Sequence, residues 1–306
     1  MELNLRRDLR KHVPLRELHF FIANKTGEEP RGYITKEALI TKIEELANKN
    51  PEIIQDVKEL LIRYMFAGKG SVSWSIPSET IEFSKEDIEN LIVKKSEGNP
   101  FVEELRPPIT SKPALNKAFW LRDNLLKLEF VYADRTYFIE ENYEIREIRP
   151  TKRAAILIRL LNTLFVIESR ASFAKSVHLH KMVADILDID TYILEFTDEE
   201  IENIKTCLNA RKKAARHKRL AGDFDVVEVS AAPTIDDLDE SDEYQNLLSG
   251  DELKKARYKF TYALAEGRSL DVTIYISKRG SIWFVSEVPE EVIDYVFSCV
   301  RKIKGI

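Results

Sequence analysis

Apolar residues in the first third of the chain recur at the spacing of amphipathic helices. One stripe repeats at intervals of three and four residues: Leu39, Ile40, Ile43 and Leu46. A second stripe begins after Asn50-Pro51, and a third begins after Ser84. Serine is a favoured N-cap residue and proline suits the first helical turn, so both positions are typical helix starts. The pattern predicts a mostly helical region over 1–111.

The pattern changes after residues 98–113, which contain four prolines. The segments that follow are short and rich in β-branched and aromatic residues: 126–132, 136–140, 154–161 and 163–169. Such runs, separated by short breaks, predict antiparallel strands. A helical run over 172–187 comes next. The proline-rich stretch is therefore the predicted domain boundary.

The last third of the chain repeats this outline. Its strand-like segments are 256–264, 270–276 and 281–286, and a helix is predicted to begin at Pro289. When the two blocks are aligned so that Ile158 falls on Ile276, Phe165 falls on Trp283. The aligned residues share only their hydrophobic character, not their identity. They fit a structural duplication, and they also fit two unrelated ββα units.

These elements predict an α+β fold: a helical N-terminal domain followed by two antiparallel sheet-plus-helix units, which a duplication would arrange like a saddle. The predicted domains are 1–111, 112–195 and 196–306. The doubled layout over 114–306 resembles the twin-saddle architecture of the TATA-binding-protein superfold, in which paired sheets form one curved surface. The chain has no signature motif of that family, so no DNA-contacting residue is transferred from the resemblance.

Composition and charge narrow the class of protein. The 306 residues are 44% hydrophobic, which is enough to form a core and excludes wholesale disorder. The net charge of −5 excludes a uniformly basic nucleic-acid coat protein. Two cysteines cannot form a disulfide framework, and no run of about 18 apolar residues predicts a membrane span. Because the N-terminus also lacks an apolar secretory segment, we expect a cytoplasmic protein with no membrane partner.

The strongest charge feature is a basic stretch over 205–219. It contains seven cations and no acid: Lys205, Arg211, Lys212, Lys213, Arg216, Lys218 and Arg219. Thr197 and Glu200 form a capping-box pattern upstream, so we predict one helix from Asp198 that carries these cations in its C-terminal half. A cationic helix end suits the macrodipole, but seven charges also attract phosphate backbones. These residues are the predicted nucleic-acid-binding site, and the alternative is a solvated helix end.

An acidic stretch over 236–243 (DDLDESDE) carries the opposite charge. We predict that it is a mobile loop, because its carboxylates repel one another and it contains little apolar surface to bury. One interpretation is a solvated insertion. The other is that the loop lies against the basic stretch and masks it.

Motifs for catalysis and cofactor binding are missing from the sequence. His178 and His180 would point about 200° apart on a helix, so they cannot chelate one metal ion. No phosphate-binding loop, nucleophile elbow or zinc motif is present. The nearest approach to a metal nuclease is Glu168-Ser169-Arg170, which has arginine where such enzymes carry lysine. We therefore predict no catalytic residue, no cofactor and no metal site.

The sequence thus predicts a non-enzymatic binding or regulatory protein. Its basic stretch would contact DNA or RNA, and its helical domain would contact a protein partner. The alternative is a protein–protein adaptor whose basic stretch docks on an acidic partner. A metal-dependent nuclease is the third and least favoured interpretation, because only scattered carboxylates support it.

Overall fold

A computed structural model describes residues 5–28, 35–65, 70–81, 83–141, 143–161, 164–220, 225–247, 250–264 and 267–306. The fold is α+β, as the sequence predicts. Residue 163, part of a predicted strand, lies outside the described residues. The chain forms two compact units: the first comprises Met1–Lys69, Phe260–Thr273 and Phe284–Gly305, and the second comprises Gly70–Lys259 and Ile274–Trp283. The domain limits 1–111, 112–195 and 196–306 remain predictions about independent folding.

The described helices, in chain order, are α1 Leu5–His12, α2 Leu15–Thr26, α3 Lys36–Lys49, α4 Glu52–Met65, α5 Lys85–Lys95, α6 Phe173–Leu187, α7 Asp198–Cys207, α8 Asp242–Leu247 and α9 Glu290–Lys304, with a 3₁₀ turn at Leu238–Glu240. The described strands are β1 Gly70–Pro77, β2 Ala114–Arg122, β3 Leu125–Ala133, β4 Tyr137–Glu141, β5 Glu144–Ile148, β6 Thr151–Leu161, β7 Leu164–Ser169, β8 Thr191–Ile193, β9 Arg211–Lys218, β10 Val226–Ser230, β11 Glu252–Ala263, β12 Ser269–Ser277 and β13 Ser281–Phe284. The three helical stripes of the first third correspond to α3, α4 and α5.

The first unit is built on α1–α4, which pack their apolar stripes into one core. Fully buried members of this core include Leu9, Leu18, Ile40, Val57 and Leu61. Thr35 caps α3, since its hydroxyl oxygen accepts a hydrogen bond from the Ala38 N–H at 3.3 Å. α9 belongs to the same unit and is tied to α4 by a bidentate ion pair, in which Arg63 donates to Glu291 at 2.5 and 3.2 Å.

The second unit is dominated by one large sheet. Its strand order is β10-β9-β11-β12-β13-β1-β7-β6-β3-β2, and β8 also pairs with β1. Helices α5 and α6 share a buried core with β3, β6 and β7, to which they contribute Ile92 and Val183. β4 and β5 form a separate two-stranded hairpin.

The strand order is the one that a duplicated unit produces. β3, β6 and β7 precede α6 in the chain, and β11, β12 and β13 precede α9. In the sheet, the two sets lie on opposite sides of β1. Counted outward from β1, the order is β7, β6, β3 on one side and β13, β12, β11 on the other. The aligned residues Ile158 and Ile276 therefore lie on equivalent strands, β6 and β12.

The predicted helix through the basic stretch is wrong beyond Cys207. α7 ends there, Asn209 adopts a left-handed conformation with φ of 49°, and the chain continues as β9. β9 pairs with β10 on one side and with β11 on the other. Lysine, arginine and alanine favour helix locally, but pairing on both sides satisfies the backbone of this segment and overrides that preference.

The stretch 236–243 is not an irregular loop as predicted, and its mobility remains a prediction. The stretch contains the 3₁₀ turn and the beginning of α8, and the side chains of Leu238 and Tyr244 are buried. Asp237 caps the 3₁₀ turn by accepting a hydrogen bond from the Asp239 N–H at 3.1 Å. Mutual repulsion does not keep this stretch open, because Leu238 within it and Tyr244 directly after it are buried, and cations lie close to its carboxylates.

Candidate nucleic-acid interface

The seven predicted cations lie at the end of α7, along β9 and just after it. Arg211, Arg216 and Lys218 are exposed, whereas Lys212 keeps only 4% of its surface accessible. Lys213 has no partner residue in the register with β11, so a bulge at this position resets the alternation of inward and outward side chains along β9. The strand thus has one buried cation, Lys212, and several exposed cations, Arg211, Arg216 and Lys218.

Two lysines enter a buried ion-pair network on the inner side of this region. Lys212 Nζ lies 2.6 Å from Glu202 Oε1 and 2.7 Å from Asp239 Oδ1. Lys205 Nζ lies 2.9 Å from Asp237 Oδ2 and also pairs with Asp239. Asp239 therefore bridges the end of α7 to β9, and these two lysines are held by carboxylates of the same chain.

A second set of ion pairs lies on the exposed rim. Asp236 pairs with Arg211 and, at 3.0 Å, with the Nζ of Lys213. The side chains of Asp236 and Arg211 are 56% and 60% exposed, so water screens this contact. Arg219 pairs with the almost buried Asp251 at 2.8 Å. The acidic stretch thus covers part of the basic stretch, in agreement with the masking interpretation.

Arg216 and Lys218 are the exception among the seven cations. Both are exposed, and neither has a carboxylate partner in the part of the chain that the structure describes. They are separated by His217, whose side chain is buried and whose Nε2 lies 2.9 Å from the Tyr244 hydroxyl oxygen. Two successive outward positions of β9 therefore carry cations without a direct ion pair, although the strand register places Glu228 of β10 opposite Arg216 and Glu252 of β11 opposite Lys218.

The titration of the network follows from burial and pairing. Burial lowers the pKa of Lys205, but hydrogen bonds to Asp237 and Asp239 outweigh it, so this pKa is raised. Burial raises the pKa of Asp237, but the hydrogen bond from Lys205 leaves it below its usual value. Burial raises the pKa of Tyr258, whose hydroxyl donates to Glu202 at 3.5 Å. Lysine and aspartate of the network are thus both stabilised in their charged forms.

Sequence reasoning found the acidic stretch that supplies Asp237 and Asp239, but it missed Glu202 and the individual pairs. The acidic character of 236–243 and the basic character of 205–219 are visible in the sequence, and they indicated that the two segments could attract each other. Sequence reasoning could not identify Glu202 and Asp239 as the partners of Lys212, because that pairing depends on the change from helix to strand after Asn209.

The carboxylate considered for a nuclease is engaged in a different way. Glu168 is fully buried and accepts hydrogen bonds from Arg159 Nε at 2.8 Å, Arg170 Nε at 2.6 Å and Trp74 Nε1 at 3.1 Å. No group of three or more potential metal-binding side chains occurs among the residues that the structure describes. Cys207 carries no free thiol. The described residues therefore bring together a set of cations on β9 and the carboxylates that pair with most of them.

Neither family models nor curated sequences give this site a precedent, since none of them matches the chain. Within the described ranges, no helix has the length and apolar character needed to cross a bilayer.

Proposed function

We propose that the protein is a non-enzymatic regulatory protein whose cationic strand β9 binds nucleic acid in competition with its own acidic segment, residues 236–239. The observation that carries the proposal is the position of Asp236, whose carboxylate pairs with both Arg211 and Lys213 on the exposed rim. Phosphate oxygens and carboxylate oxygens are both anionic acceptors for lysine and arginine. A nucleic-acid phosphate could therefore replace this carboxylate.

Opening the rim costs little free energy. Asp236 is 56% exposed, and exposed ion pairs contribute about 0–1 kcal/mol. Lys205 and Lys212 are 16% and 6% exposed, so breaking their ion pairs costs more than opening the rim, and we assign these two lysines a structural role. The contacts with nucleic acid are assigned to the four rim cations: Arg211, Lys213, Arg216 and Lys218.

A second candidate function is an adaptor that binds an acidic protein segment at the same rim. The carboxylates already paired with β9 favour it, because they demonstrate that the rim accepts acidic side chains. In both cases a protein partner at helices α1–α4 and a cytoplasmic location are part of the proposal. A metal-dependent nuclease has no support beyond scattered carboxylates.

The test is a fluorescence-anisotropy titration with a labelled DNA duplex at several salt concentrations. R216A/K218A removes the two rim cations without acidic partners, and R122A/K181A removes two exposed cations of β2 and α6 as a charge-matched control. We expect R216A/K218A to weaken binding and to reduce the slope of log K against log salt by about 1.8, at about 0.9 per lost contact. Equal effects of the two double variants would refute binding through β9.

Removing the internal competitor gives an independent measurement. D236N should strengthen duplex binding several-fold, because it leaves Arg211 and Lys213 without their carboxylate. D242N changes the net charge equally, at an exposed position of α8, and should have little effect. If only a peptide of the sequence DDLDESDE binds D236N and the duplex does not, the adaptor replaces nucleic-acid binding as the conclusion.

A further inference from the structure

A separate cavity of about 630 Å³ lies in the second unit, where the ends of β3 and β6 meet the beginning of α6. It also reaches the base of the β4–β5 hairpin. Six cations line it: Arg135, Arg149, Lys152, Arg153, Arg170 and Lys175. Asp134 is the only acidic residue in its lining.

Three of the six cations already have acidic partners. Lys152 pairs with Asp134, Arg153 with Glu104 at 2.9 Å, and Arg170 with the buried Glu168. These pairs fix the walls of the cavity. These three pairs leave the charge of the other three cations in the cavity lining without an ion-pair partner.

The other three cations have no carboxylate partner in the described part of the chain: Arg135, Arg149 and Lys175. Lys175 is held over the ring of Tyr132, with Nζ 4.2 Å from the ring centroid. Arg135 and Arg149 are exposed in the connections that lead into and out of the hairpin, between β3 and β4 and between β5 and β6. Three cations without an ion pair to a carboxylate share this concave space and repel one another unless an anion binds between them, although Asp134 also attracts Arg135.

The beginning of α6 adds hydrogen-bond donors to the same space. Ser172 is the N-cap residue, and its side chain makes no capping hydrogen bond. Ser172 and Lys175 both line the cavity. The first N–H groups of a helix have no partner within the helix, and its dipole favours a negative charge there. The helix supports anion binding, but the convergent cations are the main observation.

We infer that this cavity binds a phosphorylated ligand through a terminal phosphate or a diphosphate group. A terminal phosphate carries a charge of about −1.5 to −2 at neutral pH. It therefore neutralises three cations more completely than a single carboxylate would. Arginine presents a planar fork that binds two phosphate oxygens at once. The volume is in the range of roughly 300–1,000 Å³ that is typical of small-molecule sites, so the ligand has room for an organic part beside its phosphates.

Two sources could supply this group: a free nucleotide-sized molecule, or the phosphorylated end of a nucleic acid. The inference is independent of the proposed function, since the cavity shares no residue with β9. A variant of the cavity and a variant of β9 can therefore be used as controls for each other.

The test is isothermal titration calorimetry with inorganic pyrophosphate at low salt. We expect saturable one-to-one binding that R135Q/R149Q weakens about tenfold or more, because each substitution removes charged hydrogen bonds. R216Q/K218Q removes the same net charge from β9 and should leave pyrophosphate binding unchanged. Both double variants change exposed side chains only, and equal circular dichroism melting curves would verify that they are folded.

Competition distinguishes the two sources. If a nucleoside triphosphate displaces pyrophosphate but a 5′-phosphorylated oligonucleotide does not, the source is a small molecule. Displacement by the 5′-phosphorylated oligonucleotide and not by its 5′-hydroxyl form identifies a nucleic-acid end. No saturable binding of pyrophosphate at millimolar concentration, or equal losses in R135Q/R149Q and R216Q/K218Q, would overturn the inference.

Discussion

Lys212 and Asp239 form an ion pair on the inner side of β9, with Nζ 2.7 Å from Oδ1 and only 6% of the lysine side chain exposed. The same aspartate also pairs with Lys205 at the end of α7. One carboxylate of the 3₁₀ turn therefore joins a helix and a strand that precede it in the chain. The acidic stretch therefore makes partly buried ion pairs at Asp239 and exposed ion pairs at Asp236.

This division predicts a difference between neighbouring lysines. K212A removes the cation that Glu202 and Asp239 share, but Asp239 keeps its pair with Lys205 and Glu202 is 43% exposed, so we expect a loss of about 1–3 kcal/mol in the free energy of unfolding. K213A removes a screened rim contact and should cost less than about 1 kcal/mol. Urea-induced unfolding measures both. Equal losses would contradict the separation into an inner network and a rim.

Gly280 occupies the turn between β12 and β13, and its backbone has φ of +83°. A Cβ atom at this position would lie 2.0 Å from the carbonyl oxygen of Leu194, so alanine cannot fit without moving the backbone. Gly250 has a similar φ of +86° but no atom within 4 Å of the same point. G250A should cost about 1–2 kcal/mol from backbone strain alone. G280A should lower the melting temperature much further, and equal shifts would exclude the steric explanation.

The parts of the fold that could be predicted from the sequence have local causes. The stripe that contains Ile40 and Ile43 has the period of a helix because those side chains face one core. The strands at 154–161 and 270–276 have β-branched residues because both belong to the interior of the sheet. The opposition of 205–219 and 236–243 could also be inferred, since charge is a property of composition.

The parts that could not be predicted depend on distant segments. β9 has the composition of a helix and becomes a strand because β10 and β11 pair with it. The cavity escaped notice because Arg135, Arg149 and Lys175 are dispersed in the sequence and converge only when β3, β6 and α6 come together. No local pattern marks either feature, so only the folded chain reveals them.

Glu168 provides a test of a buried charge cluster in the middle of the sheet. E168Q keeps the shape of the side chain but removes the negative charge between Arg159 and Arg170, which are only 13% and 10% exposed. We expect a loss of about 3–5 kcal/mol in the free energy of unfolding, because two cations lose their compensation. E140Q, at an exposed position of the β4–β5 hairpin, is the control and should be nearly neutral. A loss below about 1 kcal/mol for E168Q would show that water compensates the arginines.

His180 predicts a dependence of stability on pH. Its ring is buried between β1 and α6, with Nδ1 2.7 Å from Ser75 Oγ and Nε2 3.2 Å from Ser73 Oγ. Burial lowers the pKa of His180 from 6.5 to about 4, despite the opposing influence of Ser73 and Glu168. The native protein thus keeps this imidazole neutral at pH values where an unfolded chain would protonate it.

The sign of the effect follows from proton binding. Between about pH 6.5 and pH 4 the unfolded state binds a proton at His180 that the native state does not, so the free energy of unfolding falls as the pH is lowered through this window, by about 3 kcal/mol in total. H180Q should remove that part of the slope, whereas H178Q, at an exposed position of α6, should keep it. Urea unfolding at pH 7, 6, 5 and 4 measures the slope separately from any constant loss caused by the substitution. Parallel slopes for H180Q and wild type would show that His180 is not the group responsible.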